Sequence, residues 1–205
     1  MTNPNPPETD WRHTIRQAWL GRGVLACALW PLSLGYGALV RLRQWLYQHG
    51  LWHVQHLPVP VIVVGNVLVG GVGKTPVVIA LVERCQRAGR RVGVISRGYG
   101  RQGTGLRAVL PNDDAREVGD EPLLIARRTG AVVWVGADRV AAARALLAAH
   151  PTIDIIISDD GLQHLALARD LTLCVFDERG VGNGWLLPAG PLREPWPRPS
   201  SSAAP

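Results

Sequence analysis

The sequence predicts an α/β fold, a parallel sheet with helices on both faces, preceded by an apolar helix near the N-terminus. Three observations predict it. From residue 58 onward short, continuously apolar runs alternate with longer amphipathic ones, the rhythm of strands and crossover helices in a sheet buried on both faces. The first of these runs, VPVIVVG (59–65), leads into a glycine-rich turn that ends in Lys74-Thr75 and opens a helix, the strand-loop-helix order of a P-loop NTPase-like fold. Residues 11–57 stand apart in composition, with five of the eight tryptophans, five arginines and no acid. The chain therefore divides into a membrane-associating helical segment (1–57), a P-loop core (58–180) and a Pro/Ser-rich tail (181–205).

A chain of 205 residues, 47% of them hydrophobic, is long enough for one ordinary domain with an appendage. Lys and Arg together number 22, against 16 acids, and Lys74 is the single lysine among them. A chain that writes arginine everywhere else has kept one compact ammonium on a flexible stem, at the position where a phosphate loop uses it. Cys27, Cys85 and Cys174 are odd in number and far apart, which excludes a disulfide framework and a CxxC knuckle and fits a reducing cytosol. The arginines are scattered and not interleaved with aromatics, so no nucleic acid is expected despite the basic balance.

Residues 1–10 are polar and proline-rich and read as a frayed terminus. Between Arg22 and Arg41 lie 18 uncharged residues, GVLACALWPLSLGYGALV, which as a helix would reach about 27 Å against a hydrocarbon core of about 30 Å. Pro31, Gly35 and Gly37 weaken it as a span. A secretory signal would export a phosphate loop away from ATP, and a buried core helix leaves the flanking Trp and Arg unexplained. A membrane anchor, spanning or interfacial, accounts for both, because Trp favours the headgroup level and Arg pairs with lipid phosphates. Beyond the phosphate loop, PVVIALVERCQRAG reads as a helix, RVGVIS as a strand, RGYGRQGTG as a loop, DEPLLIARRTG as a helix and AVVWV as a strand. DRVAAARALLAAH then reads as a helix, IDIIIS as a strand and LTLCVF as another. From Gly180 the rhythm stops, and the tail reads as loop and disorder in a chain that looks shortened.

Three places carry candidate chemistry. The phosphate loop spans Leu68, Val69, Gly70, Gly71, Val72, Gly73, Lys74 and Thr75. The rule G-x-x-x-x-G-K-[ST] puts its first glycine where Leu68 stands, but GGVGKT still offers successive backbone N–H groups to an anion at a helix N-terminus. Lys74 would reach the β and γ phosphates, and the Thr75 hydroxyl would hold Mg²⁺. IDIIISDD (153–160) delivers Asp159 to the edge of the sheet as a Walker B acid does, and the adjacent Asp160 makes a pair that a cation would relieve. In VGDEP (118–122), Asp120 or Glu121 either caps the following helix or sets a carboxylate beside the γ-phosphate, and spacing alone does not separate the two. His164 reads as structural. With no second lysine there is no N-K-x-D guanine clamp, and the extra lysine of partitioning ATPases is absent at Val69. Small-molecule or lipid kinases remain the best class.

The ordered set GNVLVGGVGKTP, SRGYGR (96–101), GDEP (119–122), DDGLQH (159–164) and PAGPLREP (188–195) resembles the tetraacyldisaccharide 4'-kinase family over about residues 15–195. The resemblance implies a P-loop kinase core, with ATP and Mg²⁺ as cofactors. It implies transfer of the γ-phosphoryl group to the 4'-hydroxyl of the lipid A disaccharide 1-phosphate at the cytoplasmic face of the inner membrane. It implies Asp120 as base, Lys74 and Thr75 as phosphate and Mg²⁺ groups, Asp159 and Asp160 as Walker B acids, Arg193 on phosphate and Glu194 near the metal. It names a lipid substrate and a membrane surface as partners, and no protein partner is inferable from the sequence. Leu162 stands where the family usually has phenylalanine. Family members continue past PLREP with further strands and helices, so the chain is expected to be either a truncated copy, its frame lost after Arg198, which is the favoured reading, or one that works with a partner segment. A non-catalytic nucleotide-binding membrane module and a soluble ATPase switch are the competing readings.

Overall fold

The computed structural model describes residues 18–197; the start expected to be frayed, Trp11, Arg12, Arg16 and the Ser-rich end at 198–205 lie outside the described residues. Two compact units emerge. Among the described residues, one gathers residues 18–43, 67–70 and 176–197; the other holds Gln44–Asn66 and Gly71–Val175.

The second unit is the sheet. In chain order it runs β1 (Val61–Gly65), α2 (Lys74–Arg87), β2 (Val92–Ser96), β3 (Arg107–Val109), α3 (Ala115–Val118), α4 (Asp120–Thr129), β4 (Val132–Val135), α5 (Arg139–Ala149), β5 (Ile155–Asp159) and β6 (Leu171–Cys174). The spatial order is β3-β4-β2-β5-β1-β6. Alternation along the strands feeds two cores, as expected of a sheet buried on both faces. Val64, Val94 and Ile157 pack with Val78 and Val82 of α2 and Ile125 of α4. Val63, Ile95 and Ile156 pack with Ala143 and Leu146 of α5. The connection from β1 through α2 passes beyond β5 to reach β2, and the return through α5 inserts β5 between them. Crossovers of one hand running in opposite directions put their helices on opposite faces. The result matters for chemistry: β5 lies directly beside β1, with Val64 in register with Asp159.

The expectation of a wholly parallel sheet needs one correction, because β3 pairs antiparallel with β4. β3 is three residues long with only Val109 buried, too short to show a period, and it sits at the sheet edge. Ion pairs accompany that pairing: Arg107 meets Asp113 at 3.0 Å and Glu117 at 2.8 Å.

α1 runs unbroken over Val24–Gln48 with Pro31 inside it, and its residues up to Arg43 belong to the first unit. The glycines that weaken it as a span serve packing in part: a side chain at Gly37 would come within 2.8 Å of Leu186. Ala26, Ser33 and Gly37 form its buried stripe. The tail, expected to be loop and disorder, is irregular but packed over its described part: Ala189 is buried and Leu192 forms a bridge with Leu68. Proline and serine content could not reveal this, since the partners that hold the segment lie more than 100 residues earlier in the chain.

Gly65 closes β1, and a Cβ there would meet the Leu162 Cβ at 2.6 Å. Gly65→Val should therefore destabilise the protein by about 1–3 kcal/mol, read as a fall in the urea midpoint. Gly89→Val, at a helix end with nothing within 4 Å but a positive φ of 77°, tests backbone strain without overpacking and should cost less.

Candidate active site

The phosphate loop leaves β1 at Asn66 and ends at Gly73, which caps α2 from the left-handed region at φ 74°, ψ 31°. Gly70 also has a positive φ of 105°, so glycine is required by the backbone at both positions. Around Gly71 and Gly73 nothing approaches within 4 Å of the Cβ position, leaving the turn open on that side. The departure at Leu68 has a physical reason. Leu68 is 2% exposed and bridges Leu192, while the Val69 N–H donates to Pro191 O at 2.9 Å. The first part of the loop is thus tied down as a strand-like pair, and the amides placed to meet an anion begin nearer Lys74.

Lys74 and Thr75 open α2, where helical N–H groups have no intrahelical partner. The Lys74 ammonium lies 3.2 Å from Asn66 Oδ1 and 3.2 Å from Asp160 Oδ1. Asp160 sits in the left-handed region, φ 49°, the one non-glycine residue to do so among those described. Asp159 is fully buried at the end of β5, and its Oδ2 accepts a 3.0 Å hydrogen bond from Ser96 Oγ at the end of β2. Its Oδ1 is buried and has no hydrogen-bond partner among the described residues. Burial pushes the Asp159 carboxyl up to about 6, with Glu121 and Asp160 adding to the rise and Ser96 and Lys74 opposing it. A buried carboxylate oxygen without a donor is what a cation would satisfy.

Asp120 is the exposed first residue of α4, and the cap is Gly119 with no side-chain bond. Neither Asp120 nor Glu121 caps the helix, which leaves the Asp120 carboxylate out of that role. Among the described residues no three His, Cys, Asp or Glu side chains gather into a ready-made metal cage. His164 stands 3.9 Å from Asp138, the residue whose carboxylate caps α5. In the other unit, Glu194 is 2% exposed, and Arg193 donates its N–H to Val67 O at 2.7 Å. Sequence reasoning passed over Asn66, Ser96 and Arg139. Arg139, 4% exposed, donates to Gly136 O at 3.0 Å and reaches Asp160 O at 3.5 Å. The available signal was positional: Asn66 and Ser96 directly end the two strands that flank β5.

The sequence model described as Tetraacyldisaccharide-1-P 4'-kinase matches residues 25–204. The chain belongs to the tetraacyldisaccharide-1-P 4'-kinase family. A relative named Tetraacyldisaccharide 4'-kinase from Acidovorax sp. (strain JS42) is 65% identical over 198 residues, covering 97% of this chain and 58% of the relative. One from Verminephrobacter eiseniae is 57% identical, covering 95% of this chain and 46% of the relative. A crystal structure of the "apo" form of LpxK from Aquifex aeolicus in complex with ATP superposes with a TM-score of 0.76 at 37% identity. That match covers 84% of this chain and 55% of the other. The chain thus spans about half the length of the family members it matches, and the family and fold expected from its motifs are both met.

The raised Asp159 value carries a sign. A carboxyl whose folded value lies above its unfolded value of 3.8 binds its proton more tightly when folded, so its ionisation costs stability above about pH 6 and nothing below about pH 4. Asp159→Asn should therefore stabilise the protein at pH 8 by about 3 kcal/mol, two pH units at 1.36 kcal/mol each, and by nothing at pH 4. Urea unfolding at the two pH values measures it; equal effects at both would contradict the assignment.

Proposed function

We propose that this protein transfers the γ-phosphoryl group of ATP to the 4'-hydroxyl of tetraacyldisaccharide 1-phosphate, a step of lipid A biosynthesis at the cytoplasmic face of the inner membrane. The observation that carries the proposal is the Lys74–Asp160 pair beside buried Asp159, where a glycine turn opens α2 at the ends of β1 and β5. The family and the ATP bound by the Aquifex relative support it.

The amides of Gly71 to Thr75 and the Lys74 ammonium bind the polyphosphate, the amides with their dipoles pointing outward from the helix start. Thr75 and Asp159, with Asp160 beside them, are the residues that would hold Mg²⁺, and the cation supplies charge neutralisation between phosphate oxygens. Among the described residues no cage of three His, Cys, Asp or Glu side chains is found, and Thr75 with the acid pair would suffice for an ion that takes only one or two carboxylates from protein. Asp120, exposed and bound to no cap, takes the proton of the 4'-hydroxyl as that oxygen forms its bond to the γ-phosphorus and the bond to the β,γ-bridging oxygen breaks. Arg193 and Glu194 contribute to phosphate and metal as their family motif implies.

α1 is the element that would meet lipid. Val24 is 90% exposed, Leu32 63% and Leu39 67%, on a helix that also carries Arg41 and Arg43. The other face of the same helix, at mid-length, is covered by the irregular 183–193 segment through Ser33 and Gly37. Irregular backbone exposed to hydrocarbon is excluded from a bilayer core, so α1 lies in the interface with its open face toward the acyl chains.

Incubation with Mg-ATP and tetraacyldisaccharide 1-phosphate in mixed micelles tests the reading. Phosphorylated lipid should form, and Asp120→Asn should lower kcat by about 10²–10⁴-fold with ATP affinity kept within twofold. Absence of product, or an Asp120→Asn rate equal to wild type, would refute it.

A further inference from the structure

The segment carrying Arg193 and Glu194 has no helix or strand of its own over residues 183–197. Its shape is held by a few hydrogen bonds of its own, such as Gly190 N–H to Leu186 O at 2.9 Å and Leu192 N–H to Trp185 O at 3.1 Å, and by other pieces of chain within its compact unit, two of which bear on Arg193. α1 supplies the first set of contacts. Ser33 Oγ donates to Leu186 O at 2.8 Å and accepts from the Ala189 N–H at 3.0 Å. Tyr36 OH donates to Arg193 O at 2.8 Å, and the bare Cα of Gly37 admits Leu186. Ser33, Tyr36 and Gly37 are three and four residues apart and so share a face of the helix. The chain entering the phosphate loop supplies the second set: Arg193 N–H to Val67 O at 2.7 Å, and Val69 N–H to Pro191 O at 2.9 Å. Arg193 is therefore gripped at both ends of its own peptide unit, its N–H by Val67 and its carbonyl by the Tyr36 hydroxyl. Glu194 follows directly and acts electrostatically on the same Tyr36 ring.

We propose that Tyr36, seconded by Ser33, is a positioning residue for the Arg193–Glu194 pair, so that the helix that rests on lipid also sets the aim of two groups of the reaction. The inference rests on the proposed roles of Arg193 and Glu194 in phosphate and metal binding. An irregular segment pinned by a few hydrogen bonds to a helix loses its aim when one of them is removed, and in phosphoryl transfer placement supplies most of the rate. Nothing in the carboxylate cluster needs Tyr36 for its own geometry. Its contribution should appear in turnover and metal dependence, not in stability or lipid binding.

Tyr36→Phe removes the hydroxyl and keeps the ring, and Tyr47→Phe, whose ring packs against Trp52 at 5.2 Å, is the matched control. Phosphoryl transfer is measured for both and for wild type across a Mg²⁺ titration at saturating ATP and lipid. Alongside it are measured the thermal midpoint, partition onto anionic phospholipid vesicles, and hydrogen exchange at the Val69 and Arg193 amides. For Tyr36→Phe the expected result is a kcat lower by at least fivefold and a half-saturating Mg²⁺ concentration higher by at least threefold. The two amides should also exchange at least threefold faster, with thermal midpoint and vesicle partition equal to wild type and Tyr47→Phe unchanged throughout. Unaltered kcat and Mg²⁺ dependence would overturn the inference, and so would a rate loss matched by a fall in thermal midpoint. Should wild type itself transfer no phosphate, the proposed function fails separately. The exchange data then decide the positioning role, with faster exchange at both amides supporting it and unchanged exchange overturning it.

Discussion

A single ammonium group organises the site. Lys74 is nearly closed off from water and is held by Asn66 on one side and Asp160 on the other, each at 3.2 Å. Moving an ammonium out of water costs several kcal/mol unless it is compensated, and a hydrogen bond to Asn66 Oδ1 with the charge of Asp160 beside it meets that need. The lysine is thereby fixed in place before any anion arrives, which is preorganisation in its plainest electrostatic form. An arginine would not serve: its planar fork is too broad for a group that must lie along a tight glycine turn and present a point charge. That is a physical reason for one lysine in a chain otherwise written with arginine.

The topology of the sheet makes that contact possible. Because β5 is inserted next to β1, the residues that follow the two strands meet at one edge, and β2 on the far side of β5 brings Ser96 to the same place. Ligand sites in open α/β sheets form at the carboxyl ends of strands where the winding reverses, and here the reversal lies between the α2 and α5 crossovers. The buried Asp159 carboxylate is the expensive part of the arrangement. Its value is displaced to about 6 by burial, and it keeps one oxygen without a donor. A fold selected for stability alone would place Asn there. The cost becomes intelligible if a cation completes that oxygen during function, since a cation favours the ionised carboxylate.

Much of this was legible in the sequence, and what was not had particular causes. β1, β2, β4 and β5 are apolar runs of five or so residues with turn signals at both ends, and the helices between them have clear faces, so both layers and the phosphate loop could be read directly. β3 escaped because three residues hold no period, and because it lies in a stretch to which no element was assigned and pairs with a strand that follows it by more than 20 residues. The tail was read as disordered because proline and serine dominate it. Its order comes from hydrogen bonds within it and from Trp19, Ser33, Tyr36 and Val67, far upstream, and composition carries no information about such partners. Asp159 and Asp160 were recognisable as an acid pair at a strand end. Their division of labour, one buried beside Ser96 and one turned into the left-handed region toward Lys74, depends on the backbone at Asp160 and is not encoded in residue type.

The most direct test of the account is calorimetric titration of Mg-ATP into wild-type protein and into Lys74→Met. If the ammonium is the anchor of the polyphosphate, wild type binds and the variant loses at least tenfold in affinity while remaining folded by circular dichroism. Equal affinity in a folded Lys74→Met protein would contradict the central claim, because the glycine turn would then be holding the nucleotide without the charge placed at its end.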